Sequence, residues 1–150
     1  TTRVANPKDL MTMTGTTLGP TASLQITQER IDQFAEATGD HQWIHVDPAK
    51  AAQGPFGKTI AHGYLTLSLA NCFLPELIEV DNVSMGVNYG TEKIRFPAPV
   101  PVDSEITASG EIIAVEENKG GYKATIRVTI TAQDADRPAC IVDTISIFYP

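Results

Sequence analysis

Cysteine is scarce in this chain: Cys72 and Cys140 are the only two in 150 residues. That excludes a disulfide framework, and their separation matches neither a zinc-ligand pair nor a Cys-x-x-Cys redox motif. The two thiols read as core residues of a protein in a reducing compartment. Long apolar runs are missing as well; none approaches the ~18 residues needed to cross a bilayer. The opening segment Thr1 to Pro7 has no hydrophobic targeting core, so the expected location is cytoplasmic. Positive charge is in short supply, with 11 Lys and Arg against 18 Asp and Glu and a net charge of −7. Such a balance disfavours non-specific binding to nucleic acid or an anionic membrane. A local basic patch for a phosphate-bearing small ligand remains compatible with it. No repeat, linker or low-complexity segment divides the chain, and its length suits one domain over residues 1–150.

The local patterns fall into two halves. Residues 1–20 are rich in Thr, Gly and Pro and predict an arm or loop with at most one short helix. Ser23 to Ile26 reads as a short strand. Thr27 then suits an N-cap, with Ile26 and Ile31 placed as a hydrophobic staple. Ile31, Phe34, Ala35 and Thr38 recur at helical spacing, which predicts a helix over about 28–38 closed by Gly39. Residues 40–47 read as an irregular loop, and Asp47-Pro48 as the start of a second short helix. Gly63 to Leu74 carries no charge at all, and a helix apolar on nearly every side belongs in the middle of a domain. Pro75 marks its end or a kink.

Beyond that helix the period changes to two. Val83, Met85, Val87 and Tyr89 alternate with smaller polar residues, and Ile94 and Phe96 alternate with Lys93 and Arg95. From Tyr122 to Gln133 apolar and polar residues alternate throughout, the mark of a half-buried antiparallel strand. Asn118-Lys119-Gly120-Gly121 turns into it from a strand over about 104–115, and a last strand covers about 140–149. Helices first and strands later predict an α+β domain: an antiparallel sheet wrapped around one central, uncharged helix.

The residues that carry chemistry cluster around the first helix stop. Asp40 and His45 lie five apart directly after Gly39, and Gly63 follows at the start of the apolar helix. An acid, an imidazole that titrates near neutrality and a helix-start amide are the groups that adding water to an activated double bond requires. The plainer reading is that Asp40 caps the turn, His45 packs in a loop and Gly63 permits a tight helix entry. His41 and His45 are spaced as His-x-x-x-His, but they flank the bulky Trp43 in what reads as a loop, so no metal site is expected. His62 reads as a structural residue at the helix start.

The stretch Gly39-Asp40-x-x-x-x-His45-x-Asp47-Pro48-x-x-Ala51 resembles the hydratase signature of the MaoC-like dehydratases, the (R)-specific enoyl-CoA hydratases. Ile60-Ala61-His62-Gly63 before an apolar helix, and Lys93 to Val100 as a strand running into a Pro-Val turn, are similar to the same family in the same order. The resemblance implies a hot-dog fold, a long helix wrapped by a curved antiparallel sheet, in a homodimer. It implies that Asp40 and His45 hold a water together and that the Gly63 amide stabilises an enolate. The substrate would be an acyl-CoA thioester, with coenzyme A part of the substrate and no further cofactor. Lys93 and Arg95 become candidates for the CoA phosphates, against the plainer reading of a solvated strand face. Asn71, about two turns into the helix, becomes a candidate to approach the acid from below, against simple core hydrogen bonding. One departure stands out: Gln42-Trp43 occupies the place of the family's usual Asn-Pro, which bears on the shape of the loop. Other readings open at this point are a hot-dog thioesterase, an acyl-carrier-protein dehydratase, and a non-catalytic subunit of a hydratase heterodimer.

Overall fold

The computed structural model describes residues 1–150. Helix α1, Gln28–Thr38, has the boundaries its local signals predict. The Thr27 hydroxyl accepts from the Arg30 amide at 3.2 Å, Gly39 closes the helix in the left-handed region at φ 81°, and Ile26 and Ile31 are both buried. The segment expected to be an irregular loop instead contains one helical turn, α2, Trp43–Val46, because the Asp47 amide bonds back to the Trp43 carbonyl at 3.1 Å. Asp47 then caps α3, Pro48–Ala52, accepting from the Lys50 amide at 3.1 Å.

The uncharged run forms two helices rather than one: α4, Gly63–Ser68, and α5, Ala70–Leu77, which continues through Pro75. At the junction the Leu69 amide is shared between the carbonyls of Leu65 and Thr66, a three-centre bond typical of helix ends. Burial on every side is not what occurs. Leu65, Thr66, Leu69, Ala70, Phe73 and Leu77 form a buried stripe, while Tyr64, Ser68, Asn71 and Cys72 are exposed. The spacing of that stripe is the ordinary amphipathic one. Cys72 is therefore a surface thiol, and only Cys140 is the core residue expected. Burial pushes the Cys140 thiol up to about 11.

The stripe packs on a six-stranded antiparallel sheet. Its members are β2, Thr17–Leu18; β3, Leu24–Gln25; β5, Met85–Arg95; β6, Glu105–Asn118; β7, Gly121–Ala132; and β8, Cys140–Tyr149. The order is β2-β6-β7-β8-β5, with β3 also paired to β6. α5 contacts β6 and β7, and α4 contacts β8, which is the helix-against-sheet arrangement read from the sequence. Alternation on β7 places Ala124, Ile126, Val128, Ile130 and Ala132 in the core. Lys119 and Gly120 make the β6–β7 turn with φ 49° and 87°, as a two-residue hairpin requires.

Two expectations need correction. The first 20 residues are built into the fold, not draped over it. β1, Thr2–Val4, pairs in parallel with β4, Ile78–Val80, and a 3-10 helix covers Pro7–Thr12. Leu10 and Leu18 are fully buried in the main core. On β5, by contrast, the alternation does not produce a buried face: Met85, Tyr89 and Ile94 are exposed and Val87 is half-buried, on a strand that ends the sheet.

Candidate active site

Asp40 stands in the loop after α1, His45 in α2 and His62 directly before α4, and one polar atom of each lies within 4.8 Å of the others. The sequence pairing of Asp40 with His45 is thus a spatial one. His45 Nδ1 is 2.7 Å from the Ile60 carbonyl. A carbonyl only accepts, so Nδ1 carries the proton and Nε2 keeps its lone pair. The Gln28 amide donates to the His45 backbone carbonyl at 2.8 Å, and the Thr59 hydroxyl donates to the Gln28 side-chain oxygen at 2.5 Å. Ring and backbone are therefore both tied. Burial is the main influence on the imidazole and holds His45 below its usual range; the Ile60 hydrogen bond opposes this, His62 reinforces it, and Asp40 opposes it.

Asp40 is exposed, and its Oδ1 accepts from the Gln42 amide at 3.3 Å. So the Gln42-Trp43 departure does not cost the acid its support, since the contact comes from the main chain of Gln42. The Trp43 ring lies against Gly54, where a Cβ would come within 3.0 Å of it, and under the Lys50 ammonium at 4.8 Å. It packs beside the site rather than in it.

His45 and Gly63 face one pocket of 280 Å³, walled by Phe56, Ile60, Thr66, Phe96 and the Pro97 to Val100 turn, among others. Gly63 is the first residue of α4, so its amide has no partner within the helix. A Cβ on Gly63 would meet the Phe96 ring at 3.4 Å; the bare amide leaves that space to a ligand oxygen. Imidazole, helix-start amide and apolar walls therefore converge; Asp40 does not line the pocket but has a carboxylate oxygen within 4.8 Å of a His45 ring nitrogen.

The remaining candidates fall elsewhere. Asn71 is on the exposed side of α5 and lines a separate cavity of 380 Å³ with Leu74, Val87 and Phe148. That cavity is larger but includes none of Asp40, His45 and Gly63. Lys93 and Arg95 are exposed at the end of β5 and make no ion pair. Sequence reasoning missed Gln28 and Thr59, which support His45 from positions 17 residues before and 14 after it; no motif spacing signals them. A metal bound by Asp40, His45 and His62 does not fit this arrangement. The two imidazoles stack at 3.9 Å with planes inclined by 23°, so an ion within bonding distance of both would lie out of the plane of at least one ring, where no lone pair points.

The model of the family described as MaoC like domain matches residues 9–135. The chain is 45% identical over 138 residues, 91% of each chain, to 3-hydroxyacyl-thioester dehydratase Z of Mycobacterium tuberculosis. It is 34% identical over 95 residues, 63% of this chain and 68% of the relative, to the (R)-specific enoyl-CoA hydratase of Aeromonas caviae. The structure of the (R)-hydratase from A. caviae superposes with a TM-score of 0.73 at 27% identity, covering 91% of this chain and 96% of that one. A protein from Archaeoglobus described as a monoamine oxidase regulatory protein superposes with a TM-score of 0.79 at 22% identity, over 99% and 97%; at that identity the likeness concerns the fold.

Proposed function

The chain belongs to the MaoC-like dehydratase family, and from that premise we propose that it is an (R)-specific enoyl-CoA hydratase working reversibly with its dehydratase direction. Water adds across the double bond of a trans-2-enoyl thioester: the hydroxyl bonds to C3, a proton to C2, and the product is an (R)-3-hydroxyacyl thioester. Asp40 and His45 hold the water between them and pass its proton. The Gly63 amide donates to the thioester oxygen as enolate charge develops there, the place where a fixed donor contributes most. The thioester itself acidifies C2, so this chemistry calls for no metal, nucleotide or flavin.

One observation carries the reading. The Ile60 carbonyl fixes the proton on His45 Nδ1 at 2.7 Å, leaving a basic Nε2 on a ring that shares its pocket with the Gly63 amide. Coenzyme A is the carrier proposed, with Lys93 and Arg95 as exposed cations available to its phosphates. A homodimer is proposed because β5 ends the sheet with Met85, Tyr89 and Ile94 exposed, an apolar edge of the kind that monomers avoid.

The test uses purified protein with crotonyl-CoA and a longer trans-2-enoyl-CoA, following enoyl absorbance, free thiol and product stereochemistry. Loss of absorbance without thiol, giving the (R)-alcohol, is the expected result. Release of thiol would make the protein a thioesterase. Inertness towards both CoA esters would overturn the CoA assignment and point to a carrier-protein substrate or a second subunit.

A further inference from the structure

His62 has no part in the proposed reaction, yet its ring is buried against the groups that do. The side chain is 3% exposed and sits between two rings, with Phe34 at 5.0 Å and His45 at 3.9 Å. Service at the helix start does not explain it, because the side chain makes no capping bond to α4. It turns back instead, and Nε2 lies 2.9 Å from the backbone carbonyl of Asp40. That carbonyl only accepts, so Nε2 holds a proton. Nδ1 is buried without a hydrogen-bond partner in the protein.

We propose that His62 is the positioning residue of the hydration site: its Nε2–H fixes the main chain of Asp40, and its face fixes the plane of His45. The acid and the base belong to different local elements, and this one side chain touches both. Apart from it, the Asp40 carboxylate has the Gln42 amide at 3.3 Å, a long bond on an exposed loop. The titratable groups that act on His45 are His62, which lowers its proton affinity, and Asp40, which raises it, so the stacked ring also bears on the His45 imidazole electrostatically. The inference rests on the Asp40/His45 reading above for its catalytic consequence, but the stack is measurable without substrate.

Two variants separate the two contacts. His62→Phe keeps a ring face and removes the N–H; His62→Asn keeps an amide donor and removes the face. Each is measured for kcat and KM with crotonyl-CoA, and for the pH titration of the His45 ring resonance by NMR. The expected result is a kcat lower by about 10-fold or more with KM within about threefold, as for a misplaced catalytic pair. In His62→Phe the His45 titration should also move to higher pH than in the wild type, because the facing imidazole is gone. Wild-type kcat in both variants, or a loss of kcat in His62→Phe with the His45 titration unmoved, would overturn the proposal; the latter assigns His62 to packing alone. Should His62→Phe fail to fold, His62→Asn carries the same two readouts. A wild-type protein inert towards crotonyl-CoA would sink the CoA hydratase reading, while the titrations would still decide whether the rings are coupled.

Discussion

The side-chain amide of Gln28 donates to the backbone carbonyl of His45 at 2.8 Å, so the first turn of α1 holds the turn that carries the imidazole. The other end of the same amide accepts from Thr59, a residue 1% exposed. Gln28→Leu preserves bulk but leaves a buried hydroxyl and a carbonyl without partners. Each such loss costs about 1–3 kcal/mol, so the urea midpoint should fall by a corresponding amount and kcat by about 10-fold. An unchanged kcat in a folded Gln28→Leu protein would show that His45 does not need this tie.

Asp40→Asn and His45→Gln remove the groups proposed to handle protons while retaining approximate shape. Both should lower kcat by about 10²-fold or more. Asp40 is exposed, so its variant should leave the urea midpoint almost unchanged. Wild-type turnover in either variant would remove that residue from the mechanism.

The pH dependence has a definite sign. His45 sits below the ordinary imidazole value of 6.5 in the folded protein, chiefly through burial. Above 6.5 the ring is neutral in both folded and unfolded chains and contributes no slope. As pH falls below 6.5 the unfolded chain takes up the proton first, so stability declines until the folded ring is also protonated. Urea midpoints measured downward from about pH 7 should fall in the wild type, and His45→Gln should reduce that fall. If neutral His45 is the required form, the acid limb of kcat/KM also lies below 6.5. A limb above the ordinary imidazole value would contradict the buried, neutral ring.

The oxyanion role proposed for Gly63 is tested by two variants: Gly63→Ala, which adds a Cβ near the Phe96 ring but keeps the N–H, serves as the steric control for Gly63→Pro. Gly63 is the first residue of α4, a position that tolerates proline because its amide has no helical partner. Its predecessor, His62, already has φ −59° and ψ 139°, the region that a residue before proline prefers. Gly63→Pro should therefore retain the helix and delete the N–H. A loss of about 10²–10³-fold in kcat with native circular dichroism is expected; retention of activity would assign the oxyanion to another donor.

Much of this was legible before the structure because the signals were local. The cap, staple and glycine stop of α1 lie within 14 consecutive residues, Ile26 to Gly39, and the alternation of β7 reports its own two faces. Asp40 and His45 are close in sequence and remain close in space. What escaped depends on distant partners. Leu10 and Leu18 are core residues only because the arm meets β6, as when Leu18 pairs with Gly110. Tyr64, Ser68, Asn71 and Cys72 carry no charge, so nothing in their identity shows that they point outward. His62 finds Asp40 across 22 residues and Gln28 finds Thr59 across 31, separations for which no periodicity exists.

The edge of the sheet adjoins the candidate site, so the proposed dimer bears on the proposed reaction. β5 pairs with β8 alone, and Met85 and Ile94 are 54% and 37% exposed on it. An unpaired edge bearing apolar side chains is a template for another strand, which is the basis for expecting a dimer in sedimentation, twice the 16.1 kDa chain. The same strand runs into Phe96, whose ring lies 3.4 Å from the Cβ position of Gly63 and walls the pocket. Losing a partner along β5 would therefore loosen one wall of the site as well as expose the edge. Met85→Lys combined with Ile94→Lys places on the edge the residue that natural edges use against pairing. The double variant should sediment as a monomer and lose about 10-fold or more in kcat/KM, with Asp40 and His45 untouched. A wild-type protein that sediments as a monomer would end the dimer proposal. A monomeric double variant with full activity would show instead that the Phe96 wall stands without the partner.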